Sequence, residues 1–198
     1  NCLARKSRES ISSASILSVL SFIPRARKRS IMLSETHPDI MRRELEHTVL
    51  LDLLFGHGSE FFESLYNEGL INHKFDASYQ ASKTFSHTVI SGESRNPSEV
   101  LSRIKKELEL YRSGEKTFSD EDFERVKAMT WGMCAQVWNS TTDIADAFLD
   151  YELLGASPTE LPDVLSSINK EDILRRLGTS YAPEQIAMSV VVPKGDKK

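Results

Sequence analysis

The stretch LEHTVLLDLLFGHGSEFFESLYNEGLINHKFDASYQASKTFSHTVISG, Leu45–Gly92, changes its hydrophobic period part-way along, and that change decides the fold class. In its first part Leu45, Val49, Leu50, Leu53 and Leu54 recur at the three- and four-residue steps of a helix, which runs to Phe55 before Gly56 stops it. Ser59 is placed to cap a second helix, with Glu60 and Glu63 where the helix dipole favours anions. Phe62, Leu65 and Tyr66 give that helix an apolar stripe before Gly69. From Asn72 to Gly92 the period becomes two: Phe75, Ala77, Tyr79 and Ala81 alternate with polar residues, and so do Phe85, His87 and Val89. The alternation predicts a pair of antiparallel strands whose buried face carries those residues.

Helices follow towards the C-terminus. Asn96-Pro-Ser-Glu99 supplies an N-cap, a proline at the first helical position and a glutamate at the third, ahead of the stripe Val100, Leu101, Ile104, Leu108 and Tyr111. Ser119-Asp-Glu-Asp122 opens another helix, whose seam Phe123, Val126, Thr130, Met133 and Val137 suits packing against a helix or a sheet. Asn139-Ser-Thr-Thr142 interrupts it, and Ile144, Ala147, Phe148 and Tyr151 resume the stripe up to Gly155. Ser157-Pro-Thr-Glu160 reads as a capping box and Asn169-Lys-Glu-Asp172 as one more helix start. Ile186–Val192 is a β-branched closing strand, ended by Pro193. The expected class is α+β: helices packed on one face of a mostly antiparallel sheet.

Towards the N-terminus, Ile31-Met-Leu33 is a short expected strand, and Thr36-His-Pro-Asp39 starts the first helix. Residues 1–30 differ in kind: seven Lys/Arg against Glu9 give +6, leaving −10 on the rest of a chain whose total is −4. Ile11–Ile23, Ser-rich between cationic ends, loosely imitates a signal or transit peptide, but no small-residue cleavage pattern follows it. Residues 1–30 are therefore expected to be a basic tail, disordered or a remnant, and residues 31–198 the folded domain.

The whole chain has 198 residues, 39% apolar and 27% charged, which is an ordinary globular composition with room for one substantial core. Its apolar runs are too short to span a bilayer, and its net charge argues against a nucleic-acid surface, so neither a membrane nor a nucleic-acid partner is expected. Cys2 and Cys134 show no metal or redox spacing, and a reducing, cytoplasmic setting is expected.

The chemistry-bearing residues are few. Arg43-Glu-Leu-Glu46-His47 is one substitution from H-x-x-E-H, in which two imidazoles bind zinc and the glutamate activates water. Arginine stays protonated and has no lone pair to donate, so Arg43 cannot replace the missing ligand, and His47 reads as a hydrogen-bonded structural residue. His57 and Glu60 straddle a helix start. Ser59 lacks the glycine two positions on that a nucleophile elbow requires, and its role as a cap is sufficient. Cys134 reads as a small buried hydrophobe, and Trp131 and Trp138 as packing residues on one helical face. No catalytic, cofactor-binding or metal-ligating residue is assigned.

A resemblance adds to this. Leu50-Leu-Asp-Leu-Leu-Phe-Gly56 followed by Gly58-Ser59 and by Leu65-Tyr66-Asn-Glu68-Gly69-Leu70-Ile71 resembles the C-terminal, non-zinc-binding domain of the pitrilysin/insulinase family of zinc metallopeptidases. Ser140-Thr-Thr-Asp-Ile144-Ala145 with Leu154-Gly155 is similar to that domain's late helix pair, and Ile168–Ile173 through Val191-Val-Pro193 to its final helix and strand. The likeness covers about residues 38–193. It implies one half of a chambered enzyme, inactive alone, with zinc held by a homologous half or subunit and a peptide as substrate. Some members place an Arg and a Tyr of this half against the substrate; residues 85–100 hold Arg95 but no Tyr, and the pair is not carried over. Halves of this family also serve as non-catalytic scaffold subunits, which is the alternative expectation. The helix seam at Phe123–Val137 and the sheet edge are expected to be exposed in a lone domain and to lead to dimerisation or association.

Overall fold

The structure is a computed structural model that describes residues 15–18, 37–81, 86–181 and 186–191. Four strands, β1 (Ser15–Ser18), β2 (Asp76–Ala81), β3 (Ser86–Ser94) and β4 (Ser189–Val191), form one sheet in the order β2-β3-β1-β4, every neighbouring pair antiparallel. The seven helices described are α1 (His37–Phe55), α2 (Glu60–Asn67), α3 (Pro97–Arg112), α4 (Asp120–Gln136), α5 (Thr141–Leu154), α6 (Leu161–Ser167) and α7 (Lys170–Ser180). The α+β class is therefore correct.

The expected caps recur as geometry. Ser59, Asn96, Ser119 and Ser140 each accept a hydrogen bond from the backbone N–H three residues on, an arrangement worth about 1 kcal/mol apiece. Asn169 and Asp172 form a reciprocal capping box at the start of α7. Gly155 ends α5 in the left-handed region at φ 80°, where a side chain would be strained. Ser157 accepts from the Thr159 N–H and caps a 3-10 turn, Pro158–Glu160, that leads into α6, in place of the expected capping box with Glu160.

α1 is the central helix. It lies along β2 and is flanked by α4, α6 and α7, while α3 packs beside β3 and α7. Val49, Leu50 and Leu54 of α1 are buried with Phe61, Leu65, Phe75, Ile90, Ile104, Ile173 and Leu177 in one continuous apolar core. Gly92 on β3 lets the Phe75 backbone approach, since a β-carbon there would lie 3.1 Å from the Phe75 Cα.

Three expectations are corrected. The buried face of β3 carries Thr88, Ile90, Gly92 and Ser94, not His87 and Val89. Antiparallel partners share a face, and the register joins Ala77 to Ile90 and Tyr79 to Thr88, so odd positions of β2 oppose even positions of β3. The strand β1 falls inside the stretch expected to be a tail; its backbone pairs with Gly92–Ser94 on one side and Ser189–Val191 on the other. The closing strand is shorter than expected, three residues, and exposed at the sheet edge. Ile31–Leu33, Phe85, Val192 and the rest of residues 1–30 lie outside the described residues.

Candidate functional site

Glu46 and His47 sit in the middle of α1, which the apolar stripe of that helix drives into the centre of the domain. Both are almost fully buried, Glu46 at 1% exposed and His47 at 3%. A carboxylate removed from water needs opposite charge and hydrogen bonds to offset its lost solvation, and Glu46 has them on both oxygens. Arg42 Nε donates to Oε1 at 3.0 Å, and Arg176 Nε donates to Oε2 at 2.8 Å with a second bond from its terminal nitrogen. Arg42 also donates to Asp172 at 2.6 Å and to Ser167 Oγ at 2.7 Å, and Arg175 donates to Asp172 at 2.6 Å. The result is an ion-pair lattice that ties α1 to α7. Burial alone would raise the Asp172 carboxyl; the Asn169 backbone N–H and the guanidinium groups of Arg175 and Arg42 overcome that and hold it below its ordinary range.

His47 faces the other way, towards the sheet. Its ring stacks on Tyr79 of β2 at 3.9 Å between centroids and 10° between planes. Nδ1 shares a 2.8 Å hydrogen bond with the Tyr181 hydroxyl, which lies 3.0 Å from Thr88 Oγ1 of β3. Burial, with the charges of Arg176 and Arg43, pushes the His47 imidazole down to about 3, so it is neutral at ordinary pH, and burial pushes the Tyr181 phenol up. Beside these rings lies a cavity of about 210 Å³ lined by Arg43, His47, Tyr79, Thr88, Arg176 and Tyr181 among others.

These side chains do not fit zinc. The metal would need a second imidazole where Arg43 stands, and a carboxylate with a free oxygen where Glu46 has both oxygens engaged. Among the described residues no group of three or more His, Cys, Asp or Glu converges.

The remaining candidates are kept apart. His57 Nε2–H donates to the Phe75 carbonyl at 3.2 Å and its ring stacks on Phe62, while Glu60 pairs with Lys116 at 3.2 Å. Ser59 is buried, its hydroxyl accepting from Phe62 N–H at 3.1 Å. Cys134 is a half-buried free thiol whose pKa burial raises. Arg95 is exposed in the link between β3 and α3. The packing role expected of Trp131 and Trp138 is corrected: they are 47% and 44% exposed, Trp131 because α4 turns its other side to the core, and Trp138, in the 3-10 turn after α4, because among the described residues its ring meets only that of Phe148, edge to face. Arg176 and Tyr181 could not have been singled out from the sequence, since 130 and 134 residues separate them from the groups they hold.

No protein-family model matches the chain. Over 156 residues, 79% of this chain and 36% of the relative, it is 30% identical to YmfH, an uncharacterized zinc protease of Bacillus subtilis. A structure described as an M16-like peptidase from Alicyclobacillus acidocaldarius superposes with a TM-score of 0.79 at 24% identity, covering 93% of this chain and 42% of that one. The inactive peptidase domain of a zinc protease from Bordetella parapertussis superposes with a TM-score of 0.67 at 11% identity, covering 97% of both chains. The chain thus spans well under half of YmfH and of the Alicyclobacillus protein, and nearly all of the inactive Bordetella domain.

Proposed function

We infer that this chain, a homologue of the insulinase-type (M16) zinc peptidases, is the half that completes a peptide chamber without carrying the metal. Hydrolysis then falls to a homologous zinc-bearing half, joined to it in one polypeptide or as a second subunit, and a peptide is the substrate. The observation that carries this reading is the lattice around Glu46. In a zinc half the corresponding pattern would polarise a water between two imidazoles and a carboxylate. Here the same positions of α1 hold a guanidinium at Arg43, a carboxylate committed to Arg42 and Arg176, and an imidazole committed to Tyr79 and Tyr181. The open face of the sheet supports the wall role. Asp76, Ser78 and Gln80 of β2 project from the face opposite Ala77 and Tyr79 and are exposed, as a surface lining a water-filled chamber would be.

The chain's own residues supply rigidity to such a wall. Arg42, Glu46, Asp172 and Arg176 fix α1 against α7, and the His47–Tyr181–Thr88 chain fixes both to β3. No described helix is long and apolar enough to cross a membrane. A cytoplasmic setting is part of the proposal, resting on the free Cys134.

Purification in zinc-containing buffer followed by metal analysis tests the assignment. The chain alone should retain far less than one zinc and cleave no peptide, and mixing it with a zinc-bearing half should raise that half's peptide hydrolysis. One tightly held zinc per chain, or no effect on the zinc-bearing half, would overturn it. A non-catalytic scaffold would associate without changing hydrolysis.

A further inference from the structure

Large apolar side chains that point outward are concentrated in one stretch. Met129, Trp131 and Met133 on α4, Trp138 in the 3-10 turn after it, and Phe148, Leu149 and Leu153 on α5 are each between 43% and 64% exposed. At roughly 200 Å² for a fully exposed large side chain this amounts to on the order of 700 Å² of apolar surface in total, not all of it on one side of α4, since Met129 and Trp131 lie about 200° apart around that helix. Single patches on monomers run to about 300–600 Å², and a stable interface takes about 800 Å² from each partner.

The stretch is well formed. The seam expected to be exposed is in part covered, since α4 buries Phe123, Val126 and Thr130, and α5 has a serine cap at one end and a left-handed glycine at the other. Yet among the described side chains of α5 none is buried, although the helix carries Ile144, Phe148, Leu149, Tyr151 and Leu153. A helix this apolar gains most of its stability from packing, and this one has little to pack on.

We propose that the outer surface of α4 and α5 is where the homologous zinc-bearing half docks, through an apolar centre with a basic rim. The proposal rests on the function inferred above and adds the location and chemistry of the contact. Two observations choose this occupant. First, the chain spans 36% of YmfH and 42% of the Alicyclobacillus peptidase, so relatives of this kind carry a further domain-sized body that must seat somewhere. Second, α5 bears Asp143, Asp146, Asp150 and Glu152 and no Lys or Arg, and residues 128–140 bear no charge. Two copies of this chain meeting through α5 would set those carboxylates against one another, whereas a basic rim would complement them.

The test measures binding of the whole chain to a zinc-bearing half containing His-x-x-Glu-His, by calorimetry or light scattering. The double substitution Leu149→Asp and Leu153→Asp should weaken binding at least tenfold, with helical circular dichroism and melting temperature unchanged. Asp146→Lys, which alters no apolar contact, should slow association and reduce its salt dependence, and it decides the matter should the double variant fail to fold. Lys105→Ala on α3 should leave binding as it was. Wild-type binding that survives both the double substitution and Asp146→Lys overturns the docking face while leaving the proposed function standing. Absence of wild-type binding overturns the function itself. A self-dimer abolished by the double substitution, formed in place of the complex, overturns the occupant.

Discussion

At the seam between α1 and α7 a carboxylate lies inside the protein, and along α5 leucines lie outside it: Glu46 is 1% exposed and Leu153 is 64% exposed. Each inverts the ordinary partition of residues, but the two inversions differ in their compensation. Glu46 has a donor on each oxygen, and His47 has a ring beneath it and a hydroxyl beside it. The seam is thus closed within the chain. The outer side of α5 has no such compensation among the described residues, and an exposed apolar surface gains stability when a partner covers it. Polarity found inside with its partners marks finished structure; apolarity found outside without them marks an interface.

The contrast is sharpest in truncation. Leu50 on α1 is fully buried, so Leu50→Ala should cost about 3–4 kcal/mol in urea unfolding, the lost transfer energy plus a cavity. A cost below about 1 kcal/mol would mean that α1 is not the central helix. Glu46→Gln comes next. It keeps the shape and removes the charge, leaving Arg42 and Arg176 to face one another, and should cost about 3 kcal/mol. Those arginines are 31% and 25% exposed, which lets water take up part of their charge and keeps the cost from being larger. A neutral outcome would show that Glu46 is not what holds the seam.

How far this seam was legible in the sequence depends on distance along the chain. Helix starts were readable because each is written in adjacent residues: Ser59 and Phe62, Asn96 and Glu99, Asn169 and Asp172. That position 43 could donate nothing to a metal followed from the chemistry of arginine alone. What surrounds Glu46 and His47 did not follow, since Arg176, Tyr181 and Asp172 reach α1 only through tertiary packing. The face of β3 was misread for a related reason: alternation identifies two faces, but only the pairing of Ala77 with Ile90 says which one turns inward. Trp131 and Trp138 share one helical face and so suggest packing residues, but a helical stripe records apolarity and not what covers it.

Acid acts in opposite senses on buried His47 and half-buried Asp52 of α1. The folded His47 pKa is about 3 against 6.5 unfolded, so the unfolded chain binds the extra proton and stability falls as pH drops through that interval. Asp52 works in the opposite sense. Burial and the neighbouring Asp76 push it up to about 6 from 3.8, so the folded chain holds the proton and stability rises as pH falls from 6 towards 4. The two offset each other in the native chain. In Asp52→Asn the His47 effect is no longer offset by Asp52, and urea titrations should show a steeper fall than in the native chain, approaching about 2 kcal/mol between pH 6.5 and 5 and moderated by Glu44, whose carboxyl burial also raises. A slope in Asp52→Asn no steeper than in the native chain would mean that Asp52 does not titrate near 6, and no fall at all would mean that His47 is not buried neutral.

The smallest expected effect bears on the comparison most directly. Leu153→Ser removes a large apolar side chain, as Leu50→Ala does, but from a surface already in water. Burial sets the cost of such a deletion, because a side chain that is 64% exposed loses little hydrophobic stabilisation and leaves no cavity. Its melting temperature in the isolated chain should shift by no more than about 0.5 kcal/mol would produce. Bound to the zinc-bearing half, the same substitution should cost more than it does alone, since the leucine is then covered. A loss of 2 kcal/mol or more in the isolated chain would instead place Leu153 against the chain's own core, and the distinction between a closed seam and an open face would fail.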